Sequence, residues 1–159
     1  MKANILGLDQ AKKTGYSIYR KGEIIRGGVW DLNKIKDRSE QLFFYYNTLM
    51  KIIKRERITE IVAEDTYNDN HKNTLISLGE MRGVMLLAAC QSHLPVAFIS
   101  PLEHKLFTTG NKYANKAETM SALDNLGYSY KDDNEADSIS ILLCHLKNRN
   151  LPVTHPNDK

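Results

Sequence analysis

Apolar positions along the chain first follow strand patterns and later helical ones. Ala3 to Leu8 is a compact apolar run, Thr14 to Tyr19 alternates, and Glu23 to Leu32 continues with β-branched and aromatic residues around Gly27-Gly28. With Lys21-Gly22 as a turn, this predicts three strands in a meander, bent or bulged at the paired glycines. Asp37-Arg38-Ser39-Glu40 has the form of a capping box. The helix it opens carries Leu42, Phe43, Tyr46, Leu49, Met50 and Ile53 on one stripe and should end among Lys54 to Arg57, whose charges suit a C-terminus.

Glu60 to Asp65 reads as a buried strand, Thr74 to Ser92 as a long helix and Pro95 to Ile99 as a short strand. Ser100-Pro101-Leu102-Glu103 and Asn115-Lys116-Ala117-Glu118 offer two more capping boxes, the first with Pro at the first helical position. The second opens a helix that stops at Gly127. A last helix should run from about Glu135 to Asn148, capped by Asn134, with Ile139, Leu142, Leu143 and Leu146 inward. From Val84 to Cys90 the long helix is apolar nearly all round. It therefore needs a second neighbour besides the sheet: either a second copy of the chain, approached over Gly79 and Gly83, or the interior of a monomer.

Crossover helices between the later strands imply parallel pairing with the first strand. The fold class expected is α/β, a five-stranded mixed sheet of order 3-2-1-4-5 with helices on both faces. At 159 residues, one domain over 1–150 with a loose tail over 151–159, which contains two prolines, is the natural division.

Composition changes this picture little. Hydrophobic residues at 42% and charged residues at 26% exclude a disordered chain. The apolar run after Met1-Lys2-Ala3-Asn4 is too short for a signal peptide, and nothing approaches the roughly 20 apolar residues of a membrane span, so a cytoplasmic protein without membrane contact is expected. Cys90 and Cys144 lie apart in predicted helices and read as buried thiols. Net charge is +3. If acids gather in one pocket, the remaining surface is more basic than that sum, with Lys12, Lys13, Lys51, Lys54, Arg55, Lys72, Lys105, Lys112 and Lys116 available to a polyanion.

Three acids end apolar elements: Asp9 after Ile5-Leu6-Gly7-Leu8, Glu64 after Ile61-Val62-Ala63, and Asp137 at the start of the last amphipathic run. In the order 3-2-1-4-5, strands one and four lie side by side and bring Asp9 and Glu64 together at their C-terminal ends. Carboxylates so close repel unless protons or a cation neutralise them. Mg²⁺, with its preference for oxygen ligands and retained waters, fits an open acidic rim, and two such ions about 4 Å apart would serve phosphodiester hydrolysis. Asn134 and Asp137 share a helix face, although Asn-x-x-Asp is also an ordinary helix start.

Taken together, these segments resemble the RuvC-type Holliday junction resolvases of the RNase H-like superfamily. The resemblance rests on Ile5-Leu6-Gly7-Leu8-Asp9 with Thr14-Gly15-Tyr16, on Val62-Ala63-Glu64 with Tyr67, on Leu78-Gly79-Glu80-Met81-Arg82-Gly83-Val84, on Leu94-Pro95-Val96, and on Glu135-Ala136-Asp137-Ser138-Ile139 through Cys144-His145. It implies that Asp9, Glu64 and Asp137 are catalytic metal ligands and that Asn134 stands where the family usually has a fourth carboxylate, with Asp133 as its alternative. It further implies that Lys105 and Lys116 meet the scissile phosphate and that Tyr67 stacks on unpaired bases. Lys12, Lys13, Lys72, Asn73, Arg82 and Lys112 complete the expected DNA contacts. The family's Pro-Gly after the first acid is replaced by Gln10-Ala11.

The function implied is a homodimeric, Mg²⁺-dependent endonuclease, with Mn²⁺ able to substitute and no organic cofactor, that resolves Holliday junctions and other branched DNA by paired incisions. The rivals are a looser flap or fork nuclease and a branched-DNA binding protein with a degraded site, the latter suggested by Asn134. A chain rich in Lys, Asn and Tyr also suggests an A·T-rich genome such as a bacteriophage's.

Overall fold

The computed structural model describes residues 3–65 and 72–159. Three strands come first: β1 (Asn4–Asp9), β2 (Lys13–Arg20) and β3 (Glu23–Asp31). Helix α1 (Arg38–Glu56), strand β4 (Glu60–Glu64), helix α2 (Lys72–Gln91) and strand β5 (Val96–Ile99) follow. Helices α3 (Pro101–Thr109), α4 (Lys116–Asn125) and α5 (Asp133–Asn148) complete the architecture. The sheet order is β3-β2-β1-β4-β5, antiparallel within the meander and parallel from β1 through β4 to β5, as the crossover argument requires.

The helix starts follow their caps. Asp37 accepts from the Glu40 amide at 2.9 Å, Ser100 from Glu103 at 3.2 Å, and Asn115 and Glu118 exchange both bonds of a capping box. The last helix departs from expectation. Asp132, not Asn134, is its cap, accepting from the Asn134 and Glu135 amides at 3.0 and 3.1 Å. Asp132, Asp133 and Asn134 are all cap-competent, and the chain uses the first.

The bulge also lies elsewhere than expected. Pairing of Ile18 with Arg26 and of Tyr19 with Ile24 leaves Ile25 unopposed. Gly27 and Gly28 remain in the ladder because a Cβ there would strike Glu135 and the Tyr16 ring.

Helices α1 and α2 cover one face through Tyr45, Leu49, Ile52, Met81 and Met85 against Leu6, Leu8 and Ile18. Helix α5 covers the other through Ile141, Leu142 and Leu146 against Ile5, Tyr19 and Val62, with α3 and α4 packed outside it. The approach of α5 depends on side chains being small. A Cβ on Gly7 would meet Leu142 Cβ at 2.9 Å, one on Gly15 would overlap the Asn134 carbonyl, and Ser17 Oγ donates to the Ser138 carbonyl at 2.9 Å.

Three expectations need correction. The α2 helix is not the enclosed interior helix of a monomer, which leaves the second-copy alternative: Leu86 and Leu87 are 41% and 54% exposed, and no atom comes near a Cβ built on Gly79 or Gly83. Cys90 shares that outer face and is exposed, whereas Cys144 is buried. The tail is tied down: Pro152 accepts from the Tyr19 hydroxyl at 2.9 Å, Thr154 donates to the Gly22 carbonyl at 2.7 Å, and His155 meets the Tyr128 hydroxyl at 2.8 Å. Among the described residues, no helix is long and apolar enough to cross a membrane.

Because the Asn134 carbonyl occupies the place of a Gly15 Cβ, Gly15→Ala should lower the unfolding free energy by about 1–3 kcal/mol in urea titrations, the usual cost of overpacking. A change of a few tenths would show that α5 is not seated against β2.

Candidate active site

Strands β1 and β4 run parallel with Leu8 opposite Ala63, so the next residues in register, Asp9 and Glu64, leave the sheet side by side. Adjacent strands are about 4.8 Å apart. Asp9 pairs with Gly15 on its other side, and Gly15 lies under the first turn of α5. Since the helix begins at Asp133, Asp137 falls in its second turn. Capping therefore gives no reason for an acid there, and the ordinary helix-start reading of Asn-x-x-Asp lapses.

Two of the three acids, Asp9 and Asp137, are disfavoured as anions. Burial pushes the Asp9 carboxyl well above its usual range, and the charges of Glu64, Asp137 and Asp133 push it further, against Lys116. Burial likewise raises Asp137, with Glu64 adding to it while His104, Lys116 and Lys105 oppose. Their partners at the rim are oxygen donors, the set a hard divalent cation takes. Among the described residues no three acidic, histidine or cysteine side chains close into a ready cation cage.

Asn134 is half-buried beside them, and its amide nitrogen turns to Asp132 Oδ2 at 3.3 Å. Asp133 forms an ion pair with Lys116, which lowers the Asp133 carboxyl and raises the lysine. Lys105 follows His104 on α3 and is half-buried. Both lysines expected at the phosphate thus stand where Asp137 feels their charge.

The expected DNA contacts divide. Lys12, Lys13, Lys72 and Asn73 are exposed, and Lys12 and Asn73 line one hollow with Thr74 and Ser77. Lys112 lies 5.0 Å over the ring of Tyr113, which is 73% exposed and which the sequence reading overlooked. Arg82 is half-buried and already paired. Its guanidinium bonds Asp65 at 2.6 Å and stacks 3.7 Å over Phe98, fastening α2 to the end of β4 rather than reaching outward. Tyr67 lies outside the described residues.

A residue that sequence reasoning missed is His104. It is fully buried, with Nε2 2.8 Å from Glu64 Oε2 and Nδ1 2.8 Å from Ser140 Oγ. Nothing local could have revealed it, because those partners are 40 and 36 residues away in the chain.

Comparison with known proteins bears on the same elements. The family model described as "Crossover junction endodeoxyribonuclease RuvC" matches residues 5–145. A protein so named from Halorhodospira halophila is 31% identical over 94% of this chain and 93% of its own length. One from Ruminiclostridium cellulolyticum is 30% identical over 98% of each chain. Among solved structures, Thermus thermophilus RuvC in complex with a Holliday junction superposes with a TM-score of 0.81 at 20% identity, over 92% of this chain and 94% of that one.

The raised Asp9 carboxyl has a consequence for stability. A group whose folded-state pKa lies above its unfolded value stabilises the fold below the unfolded value and ceases to as pH rises through the folded one. Without divalent cations, Asp9→Asn should therefore melt a few degrees above wild type at neutral pH. The advantage should fade toward pH values under the ordinary carboxylate pKa of about 3.9. Thermal melts in EDTA across that range decide it, and a neutral-pH melting point at or below wild type would refute the electrostatic reading.

Proposed function

The chain belongs to the RuvC family of crossover junction endodeoxyribonucleases, and from that we propose that it resolves four-way DNA junctions by Mg²⁺-dependent hydrolysis, working as a homodimer. The observation that carries this reading is the rim where Asp9 and Glu64 leave adjacent parallel strands beside Asp137, with Asp9 and Asp137 held uncomfortably as anions. Asp9, Glu64 and Asp137 would hold the cation, with Asn134 or Asp133 at the margin of the site. When bound, Mg²⁺ supplies neutralisation of the acids and of the charge that develops on attacking and departing oxygens. Mn²⁺, which takes similar oxygen ligands, should substitute.

The protein's own groups do the rest. Lys116 and Lys105 point cationic charge at the same rim and would meet the non-bridging oxygens of the scissile phosphate. Lys12, Lys13, Lys72 and Asn73 would follow the backbone on the α2 side, positioning DNA without reading its sequence. Lys112 and Tyr113 would extend that track from the α3–α4 connection, the ring offering a stacking face.

The dimer is supported by α2. Leu75, Ile76, Leu86, Leu87 and Cys90 are exposed, and together with Gly79 and Gly83 they follow helical spacing along one stripe. A two-fold related copy would cover that stripe, with the glycines allowing close approach, and would hold two rims at the fixed separation that paired incisions need.

Asp137→Asn is expected to slow cleavage of a synthetic mobile junction by about a hundredfold or more while leaving junction affinity in EDTA unchanged. Cleavage at the wild-type rate would remove Asp137 from the site. Comparing four-way junctions with forks and flaps separates a resolvase from a looser nuclease, and binding without cutting in Mg²⁺ or Mn²⁺ would identify a binding protein. Leu86→Lys with Leu87→Lys should sediment as a monomer and leave singly nicked junctions. An unchanged sedimentation coefficient would move the interface elsewhere.

A further inference from the structure

We propose that His104 is a positioning residue that orients the Glu64 carboxylate for cation binding and ties its placement to the helix carrying Asp137, an inference that rests on the nuclease reading. A buried imidazole needs partners for both nitrogens, and here one of them is a candidate metal ligand. An ionised carboxylate only accepts, so Nε2 carries the hydrogen toward Glu64 at 2.8 Å. Nδ1 meets the Ser140 hydroxyl at 2.8 Å, and Ser140 Oγ in turn meets the Thr108 hydroxyl at 2.7 Å. The hydrogen bonds link Thr108, Ser140, His104 and Glu64 in series, crossing from α3 to α5, back to α3 and on to β4. Ser140 lies three residues after Asp137 on α5, so one connected set of bonds spans both acids' supports.

The other end of β4 shows what a purely structural version looks like. Glu60 is buried, with one carboxylate oxygen on His145 at 2.8 Å and the other on Arg149. Both of its oxygens are used. Glu64 stands at the rim with its side chain 24% exposed, and His104 engages only Oε2. Arg82, the cation that could have closed the pair, goes instead to Asp65. Among the described residues Glu64 is held by Oε2 alone, an arrangement that can offer its other oxygen to a cation. The same turn of α3 that places His104 inward leaves Lys105 at its border, so the start set by Ser100 and Pro101 positions both residues.

The test uses the full chain and compares His104→Leu, His104→Gln and His104→Asn. A Gln amide nitrogen reaches the position of Nε2 and keeps the bond to Glu64, whereas Asn reaches only that of Nδ1. Mn²⁺ alone is titrated into each protein and the free ion followed by its paramagnetic resonance signal, beside the Mg²⁺ concentration for half-maximal junction cleavage. Affinity for Mn²⁺ should fall about ten- to a hundredfold in the Leu and Asn variants and recover to within about threefold of wild type in Gln, with junction affinity in EDTA unchanged. If Leu fails to fold, the contrast between Gln and Asn decides alone. Wild-type affinity in Leu or Asn, or equal losses in Gln and Asn, overturns the positioning role. A wild-type protein that neither takes up Mn²⁺ nor cuts removes the nuclease reading itself, and this inference with it.

Discussion

The nearness of α5 to the sheet is the constraint on which the site depends, and it is set by what Gly7, Gly15 and Ser17 do not carry. At Gly15 the Asn134 carbonyl occupies the space of a Cβ, and Gly7 lies under Leu142 and Ser138. At these positions the helix can therefore settle closely onto β1 and β2, with no strand side chain in the way. Asp137 then enters the electrostatic field of Asp9 and Glu64, and burial and like charge together lift two of the three carboxyls. Such crowding is unfavourable for the bare fold. It persists because the apolar side of α5, with Ile141, Leu142 and Leu146 fully or nearly fully buried, supplies about 1.5–3 kcal/mol for each side chain removed from water.

Much of this was legible along the chain because Asp9 and Glu64 each close an apolar run. Such a residue can leave the core only at a strand end, and the parallel crossover rule then places two strand ends together. Where the reading slipped, the sequence offered equivalent choices. Three successive cap-competent residues, Asp132, Asp133 and Asn134, left the start of α5 undetermined, and the structure takes the earliest. Gly27-Gly28 invited a bulge that falls instead at Ile25, because the glycines are needed to clear Glu135 and Tyr16.

Other features had no local signal at all. His104 looks like any inward residue of a short amphipathic helix, and its significance lies in Glu64 and Ser140, which only the fold brings near. Arg82 looks like a free cation in a polar segment. Its tie to Asp65 arises because β4 ends opposite the middle of α2. The tail contains prolines and few apolar residues, yet Tyr128 holds part of it, and Tyr19, Gly22 and Glu23 hold the rest through contacts that span most of the chain.

That tail also matters for the exposed border of the sheet. β3 is an outermost strand whose free amides and carbonyls could template pairing with another molecule. The kink at Ile25 breaks its regular ladder, and the strap from Pro152 to Lys159 crosses the hairpin at Gly22 and anchors on Glu23. At the opposite border β5 is only four residues long. With both margins blunted, uncontrolled strand-to-strand stacking into fibres is suppressed.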